Sequence, residues 1–250
     1  MTPGTRSYDR RTSTDVGADA GRLAVVPVGA TEQHGPHLPL GTDTLLATAV
    51  AESIVARGPD LVLGPVLGIG CSGHHLAFAG TVSLAPAAFV GAVSDVCRSL
   101  TGARLGVVLL NGHGGNKAPL GVALSTLAEE GIRAYALTYW DLLADVASEE
   151  FGDLAACGHA CALETSLMQH LHPELVRDDL IPQGATPPAW PDPHMFSADA
   201  VQVVRPFQEI SADGVIGRPS LASPASGRRL FDEAVARGAA EIERIARERA

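Results

Sequence analysis

The most reactive stretch of this chain is a run of acidic and histidine side chains after an apolar segment predicted to be a strand at 23–28. Glu32, His34, His37 and Asp43 occur within twelve residues of one another. Carboxylates and imidazoles are the ligands that Zn²⁺, Mn²⁺ and Fe²⁺ prefer, and such groups are costly beside an apolar strand without a metal. Glu32 and His34 are two apart, so an extended backbone points both to one side. The run predicts a metal site.

Two of these residues also have a purely structural interpretation. Asp43 opens a helix predicted at 43–57, where an acidic residue is favourable as a cap or through the helix dipole. His37 taken alone is more typical of a loop histidine than of a ligand, and it is a candidate substrate contact. The grouping after one strand favours a site, and the choice between ligand and cap stays open for Asp43.

A second set of polar residues follows another buried strand, predicted at 104–110. It reads Asn111-Gly112-His113-Gly114-Gly115-Asn116-Lys117 and leads into a helix predicted at 118–130. Ligand sites of α/β sheets lie at the carboxyl ends of strands, and glycines let the backbone approach a bound group. His113 is therefore a candidate ligand, with Gly114, Gly115 and Asn116 as candidate substrate contacts. A phosphate loop fits poorly, because Lys117 stands where the dinucleotide fingerprint needs glycine and no Lys-Ser/Thr pair follows.

A third set contains His159 and Glu164, five residues apart. That separation is too large for one helical face, so one of them should precede the helix that runs through Leu171. Cys157 and Cys161 flank His159 and suggest a soft-metal site. No further Cys or His pair has zinc-ribbon spacing, which argues against that interpretation.

Together, the three sets resemble the signature blocks of the creatininase family in sequence, order and separation. The matching blocks are Val-Gly-Ala-Thr-Glu-Gln-His-Gly-Pro-His-Leu-Pro-Leu-Gly-Thr-Asp-Thr, Asn-Gly-His-Gly-Gly-Asn and His-Ala-x-x-x-Glu-Thr-Ser, within about Leu23 to His172. The resemblance implies an α/β fold, a three-layer α/β/α sandwich with a mainly parallel sheet. It also implies two divalent metal ions per subunit (Zn²⁺, Fe²⁺ or Mn²⁺) and hydrolysis of an amide-type C–N bond.

Carried over residue by residue, the resemblance assigns most of the ligands. Glu32 and His113 would bind one ion, His34 would bind the other, and Asp43 would bridge both. His159 matches the histidine proposed to be catalytic in the family.

One position departs from the family pattern. Creatininase itself has a glutamate ligand two residues after the histidine of the second block, where this chain has Gly115. Family members with glycine there take the carboxylate from the Glu-Thr-Ser block, so Glu164 is the expected replacement ligand, with proton transfer as its alternative role. The departure argues against creatinine as the substrate.

Within the family, the chain is most similar to peptidases that trim an already modified C-terminal Val-Tyr dipeptide from a ribosomal precursor peptide. The glycine version of the second block, the short length and the tail at 213–219 and 225–231 carry this similarity. A small cyclic amide or formamide is the alternative substrate. A non-catalytic metal-binding scaffold is the alternative of a different class, and the intact ligand set argues against it. The resemblance also implies a homo-oligomer, commonly a hexamer.

Two adjacent histidines, His74 and His75, follow glycines in the loop at 70–81. They could contact substrate or the carboxylates behind the ligands, and a structural role is equally consistent. The family typically has an acidic residue followed by histidine here, so His75 matches and His74 departs. The chain has no Gly-x-Ser-x-Gly elbow and no His-Glu-x-x-His motif, which argues against serine hydrolases and zincins.

Composition agrees with one enzyme domain. The chain has 250 residues, 46% of them hydrophobic, and a formal net charge of −10 without a basic cluster. That charge argues against nucleic acid and anionic membranes as partners. Four cysteines without paired spacing, no apolar run long enough for a membrane span, and no signal core predict a cytoplasmic location.

The remaining pattern alternates strands and helices. Residues 1–20 are polar and predicted to be mobile, which leaves a single domain at 21–250. Further elements are a strand at 61–66, a short strand near 81–84, a helix at 86–100, a strand at 132–138 and a last helix at 226–247. This alternation is typical of a mainly parallel sheet covered by helices. The Pro-rich stretch 182–195 predicts an irregular excursion, which could be a lid, a subunit contact or a surface loop.

Overall fold

The chain forms a parallel four-stranded sheet between two layers of helices. The computed structural model describes residues 7–184, 194–196 and 203–249. In these residues the strands lie in the order β2 (Leu61–Leu63), β1 (Leu23–Val28), β3 (Gly106–Asn111) and β4 (Ala134–Thr138). All three neighbouring pairs are parallel. The predicted α/β/α sandwich with a parallel sheet is confirmed.

The two faces of the sheet contribute to two separate cores. Leu23 and Val25 of β1 belong to one core, and Ala24, Val26 and Val28 belong to the other. The first core is covered by helices α2 (Thr42–Val55), α5 (Ala144–Phe151), α6 (Ala162–Leu171) and α7 (Pro224–Arg249). The second is covered by α3 (Pro86–Gly102) and α4 (Lys117–Glu129). Burial on both faces accounts for the uninterrupted apolar character of β1 and β3.

Some elements differ from the sequence prediction for physical reasons. β2 ends at Leu63, three residues early, because Pro65 has no N–H to continue the ladder. The strand predicted near 81–84 is a single bridge between Val82 and Thr31. The short helix α5 was not predicted. The last helix is confirmed and is slightly longer than expected.

Part of the N-terminal segment has defined structure. The predicted mobile segment includes residues 1–6, which lie outside the described residues. Residues 7–20 contain helix α1 (Ser13–Gly17), and Tyr8 and Val16 pack against the second core. Arg11 pairs with the buried carboxylate of Asp19. The polar composition of this segment predicted mobility because composition does not reveal such contacts. The domain boundary at residue 21 stays a prediction.

Most of the Pro-rich stretch predicted at 182–195 also falls outside the described residues, at positions 185–193. Its role as a lid or a subunit contact therefore stays a prediction. In the part of the chain that is described, no helix is long and apolar enough to cross a bilayer.

The crossing of α6 and α7 depends on a glycine, which gives a stability prediction. A Cβ at Gly227 would overlap the Ser166 carbonyl oxygen and lie 3.0 Å from the Cβ of His170. We expect Gly227→Ala to destabilise the protein by about 1–3 kcal/mol through overpacking, measured by urea unfolding. Gly91→Ala in α3 is the matched control, since a Cβ there meets nothing within 4 Å and alanine favours a helix by about 1 kcal/mol. Equal midpoints for the two variants would contradict the packing argument.

Candidate metal centre

The loops that carry the three motif sets meet at the carboxyl end of the sheet. β1 leads into the segment with Glu32 and His34, and β3 leads into His113. From β1 the chain connects to β2, which lies on one side of β1 in the sheet. From β3 it connects to β4, which lies on the other side of the sheet. This is the point where the strand order reverses, the usual ligand position in parallel sheets.

The amide of Asn116 ties these loops together. Its Oδ1 accepts a hydrogen bond from the Cys71 amide at 2.9 Å, and its Nδ2 donates to the Gly29 carbonyl at 3.0 Å. The side chain is fully buried and does not line the cavity beside the site. These contacts give Asn116 a structural role, and its contact with substrate stays a prediction.

Two buried carboxylates face the imidazoles. The Oδ1 of Asp43 lies 3.1 Å from His34 Nε2, and its Oδ2 lies 3.1 Å from His113 Nδ1. Glu32 Oε2 lies 3.3 Å from His113 Nε2. Asp43 is in the first turn of α2, but the N-cap residue is Gly41 and no side chain caps the helix. The geometry therefore places Asp43 between two histidines and not in the capping role that the sequence had left open.

Three imidazoles are anchored by backbone carbonyl groups. The contacts are His34 Nδ1 to Glu32 O at 3.2 Å, His113 Nε2 to Cys71 O at 3.2 Å, and His159 Nε2 to Gln33 O at 2.8 Å. A carbonyl oxygen can only accept, so the nitrogen facing it carries the proton. In a neutral ring the other nitrogen then presents its lone pair to the carboxylates. Metal-binding histidines are commonly oriented in this way.

The residues present fit a metal centre. Among the described residues, both oxygens of Glu32 and the Oδ2 of Asp43 are buried without a hydrogen-bond partner. Burial raises the pKa of Glu32 to about 7, although His113 opposes the shift. Burial opposes charge on His113, but Glu32 and Asp43 raise its pKa to about 9. The carboxylates therefore attract a cation, and the N and O donors suit Zn²⁺, Fe²⁺ or Mn²⁺.

The donor atoms are numerous enough for two ions. Glu164 Oε1 lies 3.8 Å from His34 Nε2, and its Oε2 accepts from the Cys161 amide at 3.3 Å. Four overlapping sets have donor atoms within 4.8 Å of one another: Glu32, His34 and Asp43; His34, His159 and Glu164; Glu32, His74 and His113; and Glu32, His75 and His159. A single ion in a closed tetrahedral site needs only four ligands. The larger number of donor atoms here fits a dinuclear site. No cysteine belongs to any of them within the described ranges.

His75 turns its protonated ring nitrogen toward Glu32. Gln33 Nε2 donates to His75 Nδ1 at 2.9 Å and to the Gly214 carbonyl at 3.1 Å, while Gln33 Oε1 accepts from the Gly35 amide at 2.9 Å. These partners fix the Gln33 amide, so the proton of His75 lies on Nε2, 3.4 Å from Glu32 Oε1. A protonated nitrogen cannot ligate a metal. Sequence reasoning missed Gln33, although it lies inside the first motif set.

His159 and His37 occupy different positions. His159 precedes α6, as its spacing from Glu164 predicted, and its Nδ1 lies 3.6 Å from Glu32 Oε1. The Nε2 of His37 lies 2.9 Å from Thr165 Oγ1, and the ring is buried without lining the cavity. The structure therefore brings His159 into the site and keeps His37, a candidate substrate contact, behind it.

A cavity of about 1210 Å³ opens onto the carboxylates. Glu32, Asp43 and Glu164 line it, together with the predicted substrate contacts His75, Gly114 and Gly115. Much of the remaining wall is apolar, including Leu76, Val90, Val122, Phe207 and Ile210. A substrate in this cavity would meet polar chemistry at one end and apolar surface elsewhere.

A parallel α/β/α sandwich with this cluster at its switch point has the fold and the donor set of a metal-dependent enzyme. The chain belongs to the creatininase family, described as creatinine amidohydrolase, which matches residues 9–242. The resemblance found in the three motif sets is thereby confirmed.

Relatives with two different names are about equally similar to the chain. It is 36% identical over 219 residues to the mycofactocin precursor peptide peptidase of Mycolicibacterium smegmatis, covering 85% of this chain and 81% of the relative. It is 34% identical over 235 residues to the creatinine amidohydrolase of Pseudomonas putida, covering 85% of each. A solved mutant creatininase of "Zn-Zn type" superposes with a TM-score of 0.77 at 29% identity, covering 96% of this chain and 98% of that one.

The position of Asp43 between two histidines gives the second prediction. We expect purified protein to hold about two divalent ions per chain, and Asp43→Asn to lose both, because the amide removes the charge that His34 and His113 share. Metal analysis after gel filtration measures this. Asp141→Asn is the control, since this exposed carboxylate pairs with Lys117 away from the cluster. If Asp43→Asn kept both ions and lost only about 1 kcal/mol of stability, a helix-start role would be correct instead.

Proposed function

We propose that this chain is a metal-dependent peptidase that releases the Val-Tyr-derived C-terminal dipeptide from the mycofactocin precursor peptide. Similarity alone supports the peptidase and the creatinine amidohydrolase almost equally. The observation that carries the proposal is the large, mostly apolar cavity that ends at the carboxylate and imidazole cluster.

The size of the cavity favours a peptide over a small ring. Its volume of about 1210 Å³ exceeds the roughly 300–1,000 Å³ typical of sites for drug-sized molecules. The isopropyl group of valine and the phenol ring of tyrosine, the side chains of the released dipeptide, are stabilised when they leave water for apolar walls such as Val122 and Phe207. A single small heterocycle would leave most of this wall without a partner.

The glycine at position 115 is a second argument. A Cβ there would overlap the Cys71 carbonyl oxygen, so the backbone comes close to the neighbouring loop and supplies no carboxylate. Glu164 supplies one from α6 instead, beside His34. The site therefore lacks the glutamate that creatininase has at this position, which argues against creatinine as the substrate.

The chemistry follows from the donor set. Two divalent ions, when bound, would polarise the scissile carbonyl and make an attacking water more acidic. Glu32, Asp43, Glu164, His34 and His113 would hold them. The protonated Nε2 of His75 lies 3.4 Å from Glu32 Oε1 and favours the charged form of that carboxylate.

His159 is placed to move the proton. Its Nε2–H is held by the Gln33 carbonyl, so Nδ1 is the nitrogen that faces the site. Burial, and then the positive charge of His34, hold the pKa of His159 well below its usual range. A neutral imidazole accepts a proton from the attacking water and passes it to the departing nitrogen. Glu164 is the alternative group for this step.

Other properties implied by the family resemblance stay predictions. These are assembly as a homo-oligomer, a hexamer or similar, and a cytoplasmic location. Exposed apolar side chains such as Val66, Ile69 and Val82 are consistent with assembly, because exposed apolar groups favour association when they are contiguous.

The direct test of the substrate is mass spectrometry after incubation with metal-loaded protein. We expect the modified precursor peptide to lose its C-terminal dipeptide, while creatinine stays unchanged. The Asp43→Asn protein should leave the peptide intact. An unmodified peptide ending in Val-Tyr shows whether the modification is required. Conversion of creatinine or another small cyclic amide, without peptide cleavage, would sink the proposal. Metal binding without any hydrolysis would favour the scaffold alternative.

The catalytic role of His159 gives a further prediction. We expect His159→Ala to keep both ions and the KM for the peptide, while kcat falls roughly 10²–10⁴-fold, the usual range for acid–base catalysis. His170→Ala in α6 is the control and should leave kcat unchanged. An emptied metal position would identify His159 as a ligand. A lower melting temperature with near-normal kcat would identify a structural histidine.

A further inference from the structure

We propose that His74 is an additional ligand of the ion held by Glu32 and His113. The proposal rests on the metal centre of the proposed function and does not depend on the identity of the substrate. His74 lies on the 3₁₀ turn Gly73–His75, which follows the loop that anchors His113. The sequence resemblance offers no role for it, since the family typically has an acidic residue there.

Distances place His74 among the donors. Ligand atoms of Glu32, His74 and His113 all lie within 4.8 Å of one another. Two ligands of one Zn²⁺ at about 2.1 Å can be at most about 4.2 Å apart, which is close to the spacing of these atoms. The rings of His74 and His113 are nearly parallel, with 13° between their planes and 5.9 Å between their centroids.

Gly115 provides the room for this arrangement. A Cβ at position 115 would lie 3.1 Å from His74 Cε1 and 2.5 Å from His113 Nε2. Any side chain there would therefore press between the two imidazoles. The glycine leaves a gap where creatininase has a carboxylate, and in this chain an imidazole borders the gap.

The ring nitrogens of His74 and His75 differ in their partners. Neither ring nitrogen of His74 makes a hydrogen bond to another described residue, while both nitrogens of His75 face Gln33 and Glu32. The turn is held because the His75 amide donates to the Ser72 carbonyl at 2.9 Å. Phe207 lies 6.3 Å from the His74 ring and 4.2 Å from the His75 ring, between centroids, which restricts both.

The resulting ligand set has a definite chemical preference. Glu32, Asp43, His113 and His74 together supply two carboxylates and two imidazoles. Such mixed N and O donors suit Zn²⁺, Co²⁺ or Fe²⁺ and disfavour Mg²⁺, which prefers oxygen ligands and water. The ion beside His34 and Glu164 would lack this second imidazole from the 3₁₀ turn, so we infer that the two ions bind with unequal affinity.

Proton NMR of protein loaded with Co²⁺ tests the ligand directly. Each coordinated histidine whose other nitrogen keeps its proton gives a strongly shifted, exchangeable N–H signal. We expect His74→Gln to lose one such signal. Chelator competition should show that one of its two ions binds at least about 10-fold more weakly, since even residues that only hydrogen-bond to a ligand contribute 10–100-fold to metal affinity. His172→Gln, a histidine after α6 and away from the cluster, should change neither. Melting temperatures show that the variants fold.

A second variant covers the case in which His74→Gln fails to fold. His74→Asp offers a carboxylate in place of the imidazole, so it should lose the N–H signal while retaining more metal affinity than His74→Ala. An unchanged set of shifted signals with unchanged affinity would overturn the proposal, and a raised KM alone would assign His74 to substrate binding instead. Because only the metal is used as a probe, failure to cleave the precursor peptide would overturn the substrate assignment and leave this result standing.

Discussion

The site depends on buried carboxylates that face buried imidazoles. Backbone carbonyl groups accept from the N–H of His34, His113 and His159, so the opposite nitrogens face Asp43 or Glu32. In a buried environment the carboxylate charges are unfavourable unless a proton on an imidazole or a metal cation balances them. The fold thus orients the rings first, and their orientation places the donor atoms around the space that a metal would occupy.

The sheet topology explains why residues far apart in sequence share this space. β1 and β3 are hydrogen-bonded neighbours along their whole length, so the loops after them emerge side by side. Helix α6 approaches from one helical layer, where it packs against α7, and brings Glu164 within 3.8 Å of the same His34 nitrogen that faces Asp43. Each ligand stands at or near an element end, where the backbone leaves the regular hydrogen-bond pattern and a side chain can turn inward.

The sequence predicts the parallel sheet and the clustering of its polar loops, because apolar runs and motif spacing are local signals. It does not predict the long-range hydrogen bonds that assign roles within the cluster. Asn116, a predicted substrate contact, also bonds to Gly29, 87 residues away. Gln33 sets the tautomer of His75 across 42 residues. Helix α5 was missed because its eight residues form too short a periodic pattern. The segment near 81–84 forms one bridge, between Val82 and Thr31, and no longer ladder.

The crowding around Gly115 has a consequence for how this enzyme can evolve. A side chain at position 115, as in the carboxylate version of the site, would overlap the Cys71 carbonyl oxygen and the His113 ring. The loop that holds Cys71 and His74 would have to move to make room. A change from this version of the metal centre to the carboxylate version therefore requires replacements in that loop as well as at position 115.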